Sequence, residues 1–262
     1  MHRVISVIDV RNISKSFKSN GDVFTVLEDV SFRVVEGEIV TLLGQSGCGK
    51  STLLQIIGGF LQANRGSVLF NGNEVKRPTK QCLMLFQQQN LLPWRTVLKN
   101  VLLGLENEGI SANEKQKRAI EALQFVGLRD HMEQFPHQLS GGMQQRVAIA
   151  RAFAMEPSII LMDEPFAALD TFNRYKLQDE LLNIQVKKKS TILIVTHDID
   201  EAVYVSDRVL IMQSNPGRIF KEINIKLSKP RDRTHDDFNY FRKKILDEFA
   251  VSGERPQLEY TI

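Results

Sequence analysis

The chain has 262 residues, with 34 Lys and Arg against 31 Asp and Glu, and its net charge of +3 is typical of soluble globular proteins. Scattered basic residues argue against a nucleic-acid-binding stripe, and the only cysteines, Cys48 and Cys82, lack metal-ligand spacing and argue against a disulfide framework. No signal peptide is visible, so we predict a reducing compartment. Apolar runs such as residues 192–195 fall far short of the about 20 residues of a membrane span, so we predict a peripheral membrane role at most.

The first forty residues are predicted to form short antiparallel strands. Residues 4–10 and 31–35 alternate apolar and polar side chains, and a turn at 36–38 precedes an apolar strand at 39–43. Further along the chain, apolar runs at 159–162, 192–195 and 209–212 are separated by helical stretches. Near-continuous apolar strands that alternate with helices are typical of a parallel sheet covered on both faces, so we predict an α/β fold.

Residues 94–137 have the pattern of an all-helical insert. Ser111 and Glu114 fit a capping box, apolar residues follow at helical spacing, and Gly127 is a plausible helix end. We therefore predict a core of residues 1–93 and 138–220 around this insert. A tail of residues 221–262 follows, with a Pro and Arg stretch and an amphipathic helix that either packs on the core or meets another subunit. The apolar face of that helix is Phe238, Phe241, Ile245, Leu246 and Phe249.

A glycine-rich segment after the first apolar strand predicts a phosphate-binding loop. It satisfies G-x-x-x-x-G-K-[ST] and lies between strand 39–43 and a helical run that starts at Thr52. Glycines let the backbone wrap around a phosphate, and the helix N-terminus favours negative charge. Lys50 would reach the β- and γ-phosphates, and the Ser51 hydroxyl would bind Mg²⁺. The alternative is a glycine-rich turn that matches by chance. The loop residues are Gly44, Gln45, Ser46, Gly47, Cys48, Gly49, Lys50 and Ser51.

A second anchor for the metal is predicted at the end of the apolar run at 159–162. Asp163 and Glu164 follow this run directly, at what would be the carboxyl end of a parallel strand. There Asp163 would hold Mg²⁺, while Glu164 would polarise the attacking water. The alternative is a solvated acidic pair that closes a strand, which fits only if the glycine-rich loop is also accidental.

The segment Leu139-Ser140-Gly141-Gly142-Met143-Gln144-Gln145-Arg146 resembles the signature of ATP-binding cassette (ABC) ATPases. Other elements of that family are found in order along residues 1–220. Phe17 matches the aromatic residue that stacks on adenine, Gln87 the glutamine at the junction of core and insert, and His197 the histidine that contacts the γ-phosphate. Ala168-Leu169-Asp170 matches the loop after the catalytic glutamate. One departure is Gln45, where the family more often has a small residue or proline.

This resemblance implies a P-loop NTPase core with an antiparallel β subdomain and a helical insert, and it implies ATP and Mg²⁺ as ligands. Thr52 joins the nucleotide-binding set, and Gln87 joins Ser51 and Asp163 at the metal. Ser140, Gly141 and Gly142 would cover the γ-phosphate bound by a second copy, so the expected assembly is a two-fold homodimer. Residue by residue, the alternatives are a core aromatic at Phe17, a structural histidine at His197, and a different register in the glutamine run 87–89.

The segment Leu91-Leu92-Pro93-Trp94 is more apolar than an exposed loop should be. It is either buried within the insert or part of a surface on which a short helix of a membrane permease docks. With the other motifs it resembles ATPase subunits of nitrate, sulfonate, taurine and bicarbonate importers. That branch implies a separate permease, an extracytoplasmic solute-binding protein and a place at the cytoplasmic face of the membrane, without nucleic acid. The alternatives are another importer, such as one for a pyrimidine thiamine precursor, an exporter, or a nucleic-acid-associated ABC ATPase.

Overall fold

The structure is a computed structural model that describes residues 6–19 and 21–251. The described chain divides into two compact units, unit 1 (Met1–Thr79 and Thr191–Ile262) and unit 2 (Lys80–Ser190). The boundaries predicted from sequence, with an insert at 94–137, divide the chain at other positions and stay a prediction. In chain order the elements are β1 (Ser6–Ser19), β2 (Asp22–Val35), β3 (Ile39–Leu43), α1 (Lys50–Ile57), β4 (Arg65–Phe70), β5 (Asn73–Glu74), β6 (Cys82–Leu85), α2 (Val97–Leu105), α3 (Ala112–Phe125), α4 (Gly141–Ala154), β7 (Ile159–Asp163), α5 (Thr171–Lys188), β8 (Thr191–Thr196), α6 (Ile199–Val205), β9 (Arg208–Gln213), β10 (Arg218–Asn224) and α7 (Asp236–Val251).

Unit 1 opens with an antiparallel sheet, as predicted. Its strand order is β2-β1-β4-β5, and β1 and β2 pair along almost their whole length. Both strands are longer than the sequence pattern indicated, because residues 15–19 of β1, which are polar except for Phe17, pair with residues 22–27 of β2. Residues 4–5 of the predicted first strand lie outside the described residues.

The second sheet region of unit 1 carries the predicted phosphate-binding loop. β3 pairs in parallel with both β8 and β9, and β10 closes this side as an antiparallel neighbour of β9. Every residue of β3 and β8 is buried, as expected of parallel strands that are covered on both faces. The predicted α/β class is confirmed.

In unit 2, β6 and β7 pair in parallel, and α2, α3 and α4 pack on one another. The predicted helical range 94–137 contains α2, α3 and a 3-10 turn at Arg129–His131, and a second 3-10 turn at Pro136–Gln138 crosses its end. Ser111 caps α3 by accepting the Glu114 amide N–H at 3.2 Å, and Gly127 follows the helix with a φ of 69°. Of the helices in the described chain, none combines the length and hydrophobicity of a membrane span.

The C-terminal segment packs within unit 1. Lys221, where the sequence places the start of the tail, lies inside β10. The sequence left open whether the tail helix packs on the core, and in the structure α7 packs on α6. The buried residues of α7 are Phe238, Ile245 and Phe249. Residues 252–262 of the predicted tail lie outside the described residues.

Candidate nucleotide site

The glycine-rich loop joins the buried strand β3 to α1. Gly47 and Gly49 have φ values of 85° and 97°, a backbone conformation that glycine adopts at little cost. Gly49 is also crowded, since a Cβ there would lie 2.8 Å from Leu27 Cδ2. Ser46 and Gly47 are exposed at the top of the loop, and Thr52 follows in the first turn of α1. The loop therefore has the strand, turn and helix order that the motif requires.

Lys50 is buried and bends back over the loop. Its Nζ donates to the carbonyl oxygens of Gly44 and Gln45, both at 2.7 Å, and lies 3.8 Å from Cys48 Sγ. These two hydrogen bonds hold the ammonium group against the backbone of the loop. Cys48 is buried beneath the loop, and a Cβ at Gly44 would lie 2.8 Å from its Sγ.

His197 lies at the same edge of unit 1 as the start of the loop. In the parallel register Leu43 pairs with Thr196, so Gly44 and His197 each follow a paired residue. The turn after β8 is fixed by buried polar contacts, in which Thr196 Oγ1 donates to Glu201 Oε2 at 2.7 Å and accepts the Asp198 amide N–H at 3.1 Å. His197 itself is exposed. The parallel sheet thus places the histidine beside the phosphate loop.

In unit 2, parallel pairing brings Gln87 to Glu164. Leu85 pairs with Met162, and just beyond this pair Gln87 Nε2 donates to Glu164 Oε2 at 3.3 Å. Asp163 closes β7 as a buried carboxylate. Glu164 has a φ of 48°, which is unusual for a residue with a long side chain. Such outliers persist only where the surroundings hold them, and they are concentrated at functional sites.

Arg151 holds the loop that carries Gln87, and sequence reasoning missed it. Its guanidinium donates to the carbonyl oxygens of Gln89 and Asn90, both at 3.0 Å. Burial lowers the pKa of Arg151 below its ordinary value, because removing the guanidinium from water destabilises its charged form. The sequence did contain one indication of this role, since Arg151 is an arginine on the otherwise apolar face of the helix that follows Arg146.

We expect Arg151→Met to lower the kcat of ATP hydrolysis about tenfold and to leave the KM for ATP nearly unchanged. Methionine fills similar space but cannot bond to the loop, so Gln87 loses its fixed position, and small misplacements of this kind reduce rates strongly. Steady-state phosphate release measures both constants. Arg118→Met, which removes a partly exposed arginine of α3 in the same unit, is the control. A wild-type kcat in Arg151→Met would contradict this role.

The signature segment forms the start of α4. Ser140 is its N-cap, with Oγ accepting the Met143 amide N–H at 3.3 Å, and both Ser140 and Gly141 are exposed. A Cβ at Gly142 would lie 3.0 Å from Leu169 Cδ2, so glycine permits close packing against the loop that follows Glu164. Free amide groups at the start of a helix favour an anion.

The loop after Glu164 is also tied to α4 and α5. Gln145 is buried and donates to the Pro165 carbonyl oxygen at 3.2 Å. Asp170 caps α5 by accepting the Asn173 amide N–H at 3.0 Å, and hydrogen bonds from Asn173 hold the pKa of Asp170 below its ordinary value. Unit 2 therefore positions the acidic pair, the signature and the Ala168-Leu169-Asp170 loop on one framework.

The residues predicted for the metal fit magnesium by their chemistry. Ser51 offers a hydroxyl oxygen, Gln87 an amide oxygen and Asp163 a carboxylate oxygen, and magnesium prefers oxygen ligands with few carboxylates. The described residues hold no cluster of three or more His, Cys, Asp or Glu side chains suited to a metal. The individual roles predicted for the site residues, from Phe17 to His197, stay predictions.

A phosphate loop after a buried strand, an acidic pair that closes another buried strand and a serine-capped helix with two glycines are the parts of an ATP-binding cassette. The ABC transporter family description matches residues 27–167. The chain belongs to this family and is an ATPase of the ABC transporter class.

Individual relatives agree with this assignment. The chain is 51% identical over 240 residues to an uncharacterised ABC transporter ATP-binding protein of Methanocaldococcus jannaschii, covering 92% of this chain and 90% of that protein. It is 46% identical to the aliphatic sulfonates import ATP-binding protein SsuB of Bacillus subtilis, covering 94% of each. A solved dimeric ATP-binding cassette in a post-hydrolysis state, bound to ADP and Pi, is 34% identical with a TM-score of 0.76, covering 84% of this chain and all of that chain.

Proposed function

We propose that this chain is the ATP-hydrolysing subunit of an importer for a small organic anion of the sulfonate type. The observation that carries the proposal is the similarity to the sulfonate import protein, which extends over 94% of both chains rather than over the cassette motifs alone. Residues beyond the cassette, including the C-terminal segment, therefore take part in the match. The ATPase chain itself never touches the transported molecule, so substrate specificity belongs to a permease and an extracytoplasmic solute-binding protein.

On this proposal the predicted site residues act on one bound ATP. Lys50 exchanges its bonds to the loop carbonyl oxygens for bonds to phosphate oxygens and offsets the charge that develops during phosphoryl transfer. Glu164 accepts a proton from water as the water oxygen bonds to the γ-phosphorus and the bond to the leaving ADP oxygen breaks. Gln87, already bonded to Glu164, keeps the carboxylate oriented. Magnesium, when bound by Ser51, Gln87 and Asp163, supplies further neutralisation of phosphate charge.

The proposed assembly is a two-fold homodimer, in which Ser140 and the α4 N-terminus of one copy complete the γ-phosphate site of the other. Three features support it. Ser140 and Gly141 are exposed, a Cβ at Gly141 would meet no atom within 4 Å, and the matched cassette bound to ADP and Pi is dimeric. His197 would complete the same γ-phosphate shell, and Phe17 would stack on adenine.

A permease is proposed to dock on the surface around the Leu91-Leu92-Pro93-Trp94 segment, which places the chain at the cytoplasmic face of the membrane. Trp94 is 71% exposed and lines a groove of about 700 Å³ with Leu102 and several charged residues. Its loop is rigid, because the buried Asn100 side chain bonds to Leu92, Arg95 and Thr96 backbone groups at 2.8–3.1 Å. An exposed tryptophan on a fixed loop is a favourable anchor for a protein partner.

Reconstitution with a sulfonate permease and its solute-binding protein tests this function. We expect ATP-dependent uptake of an alkanesulfonate into proteoliposomes that contain this chain. We also expect Trp94→Ala to lower uptake and permease retention at least tenfold, with the ATPase rate of the isolated chain unchanged. Lys99→Ala, a polar change on the same groove, is the matched control. If the chain drove no uptake with the sulfonate permease but did so with the permease and solute-binding protein of another nutrient, this result would favour the alternative importers. Salt-sensitive retention on DNA or RNA would favour a nucleic-acid-associated ATPase.

A further inference from the structure

Two phenylalanine side chains stand next to each other at the outer end of the β1–β2 hairpin. Phe17 and Phe24 are direct partners in the antiparallel ladder, so they share one face of the hairpin. Phe17 is 41% exposed and Phe24 is 56% exposed. The sequence motif accounts for Phe17 only, and leaves an exposed aromatic ring beside it without a role.

The hairpin touches the phosphate loop at a β-bulge. Ser16 pairs with Thr25 and Lys15 pairs with Leu27, which leaves Val26 as an extra residue on β2. A Cβ at Gly49 would lie 3.2 Å from Val26 Cγ1 and 2.8 Å from Leu27 Cδ2. The bulge therefore turns Val26 and Leu27 toward the last glycine of the loop.

The two phenylalanines lie on this same face. Lys15, the partner of Leu27, places its Nζ over the Phe17 ring at 5.0 Å from the centroid, which fixes Lys15 and Phe17 on one side. The Ser16 and Thr25 hydroxyls meet each other at 3.2 Å on the opposite side. Because side chains alternate along a strand, the face that begins at the phosphate loop continues outward through Phe24 and Phe17.

The spacing suits a nucleotide. From Val26 to Phe24 the strand advances two residues, about 7 Å, so the aromatic pair stands away from the loop by roughly the span of a ribose. A nucleotide with its phosphates at residues 44–51 would carry its base to these rings. Lys15 also donates to the Gln62 carbonyl oxygen at 2.7 Å, which anchors the cation that lies over Phe17.

We propose that Phe24 is a second base-binding residue, which forms with Phe17 a two-ring platform for the nucleobase. This inference rests on the proposed ATP site. Neither ring carries a hydrogen-bonding group, so the platform binds the base through its flat, apolar surface, an interaction that any nucleobase can make. Phe24 therefore contributes to the affinity for a nucleotide and makes no contribution to the affinity for its phosphates alone.

Calorimetric titration of the full chain with ATP and with inorganic tripolyphosphate tests this role. We expect Phe24→Ala to raise the Kd for ATP roughly tenfold, Phe24→Leu to raise it by less, and both to bind tripolyphosphate as the wild type does. Val23→Ala is the matched control, since Val23 is 62% exposed and adjacent to Phe24 on the opposite face. We expect no change in either Kd for that variant.

Two results would overturn the role of Phe24. One is a wild-type Kd for ATP in Phe24→Ala, and the other is an equal loss of affinity for ATP and tripolyphosphate, which would indicate damage to the phosphate loop. If the proposed ATP site were wrong, the result would be different, because the wild-type chain would then bind neither ATP nor tripolyphosphate. Thermal unfolding of each variant is measured alongside, and Phe24→Leu decides the question if Phe24→Ala unfolds.

Discussion

Replacing Glu164 with glutamine is expected to lower the rate of ATP hydrolysis by about 100-fold or more, while ATP still binds. Glutamine has the same shape as glutamate but cannot accept the proton of the attacking water. The carboxylate accepts a hydrogen bond from Gln87 at 3.3 Å and stands on a left-handed backbone position with a φ of 48°, so its position depends on its surroundings rather than on a free side chain. Phosphate release under saturating ATP measures the loss.

The same variant reports on the dimer. If Ser140 of a second copy closes over the bound γ-phosphate, Glu164→Gln accumulates as a dimer in ATP, because hydrolysis no longer separates the two copies. Light scattering during gel filtration, with and without ATP, measures this. Glu156→Gln is the control, since Glu156 pairs with Arg118 and Lys188 in the same unit. Unchanged turnover in Glu164→Gln would remove Glu164 as the base, and full turnover by an isolated monomer would contradict the shared site.

Local patterns in the sequence were sufficient to predict the strand, glycine-rich loop and helix at residues 39–57 and the ends of the buried strands. The motif requires glycines at fixed positions and a lysine beside them, so eight consecutive residues are enough to recognise it. β3, β7 and β8 are short apolar runs, and the carboxyl ends of parallel strands are where functional side chains are expected. The placement of His197 and Glu164 at strand ends follows from these runs alone.

The supporting contacts could not be predicted in this way, because they join residues that are far apart in sequence. Arg151 bonds to a loop 61 residues earlier in the chain, and the bulge that turns β2 toward Gly49 depends on a register that no local pattern sets. The continuation of β1 to Ser19 was missed for the same reason. Polar residues entered the ladder because a partner strand was available, not because of their intrinsic preference.

We also expect a large loss of stability when Arg231, in the C-terminal segment, is replaced. This side chain is only 6% exposed, and burial lowers its pKa to about 10, so it is charged at neutral pH. One terminal nitrogen, Nη1, donates to the carbonyl oxygens of Val203 and Tyr204 at the end of α6, and the other, Nη2, donates to those of Ile225 and Leu227. Carbonyl groups in the last turn of a helix have no partner within the helix, and a cation there also favours the helix dipole.

Arg231→Met is therefore expected to lower the free energy of unfolding by about 3 kcal/mol, since it leaves buried carbonyl oxygens without donors. Arg231→Lys restores only part of this loss, because one ammonium group cannot reproduce the planar fork that serves both pairs of oxygens. Arg242→Met is the control, because Arg242 is 43% exposed and bonds to the exposed carboxylate of Asp200, and we expect it to cost less than about 1 kcal/mol. Urea unfolding followed by circular dichroism measures all three. Equal stability of the Arg231→Met and Arg242→Met variants would show that the buried guanidinium does not hold the tail against α6.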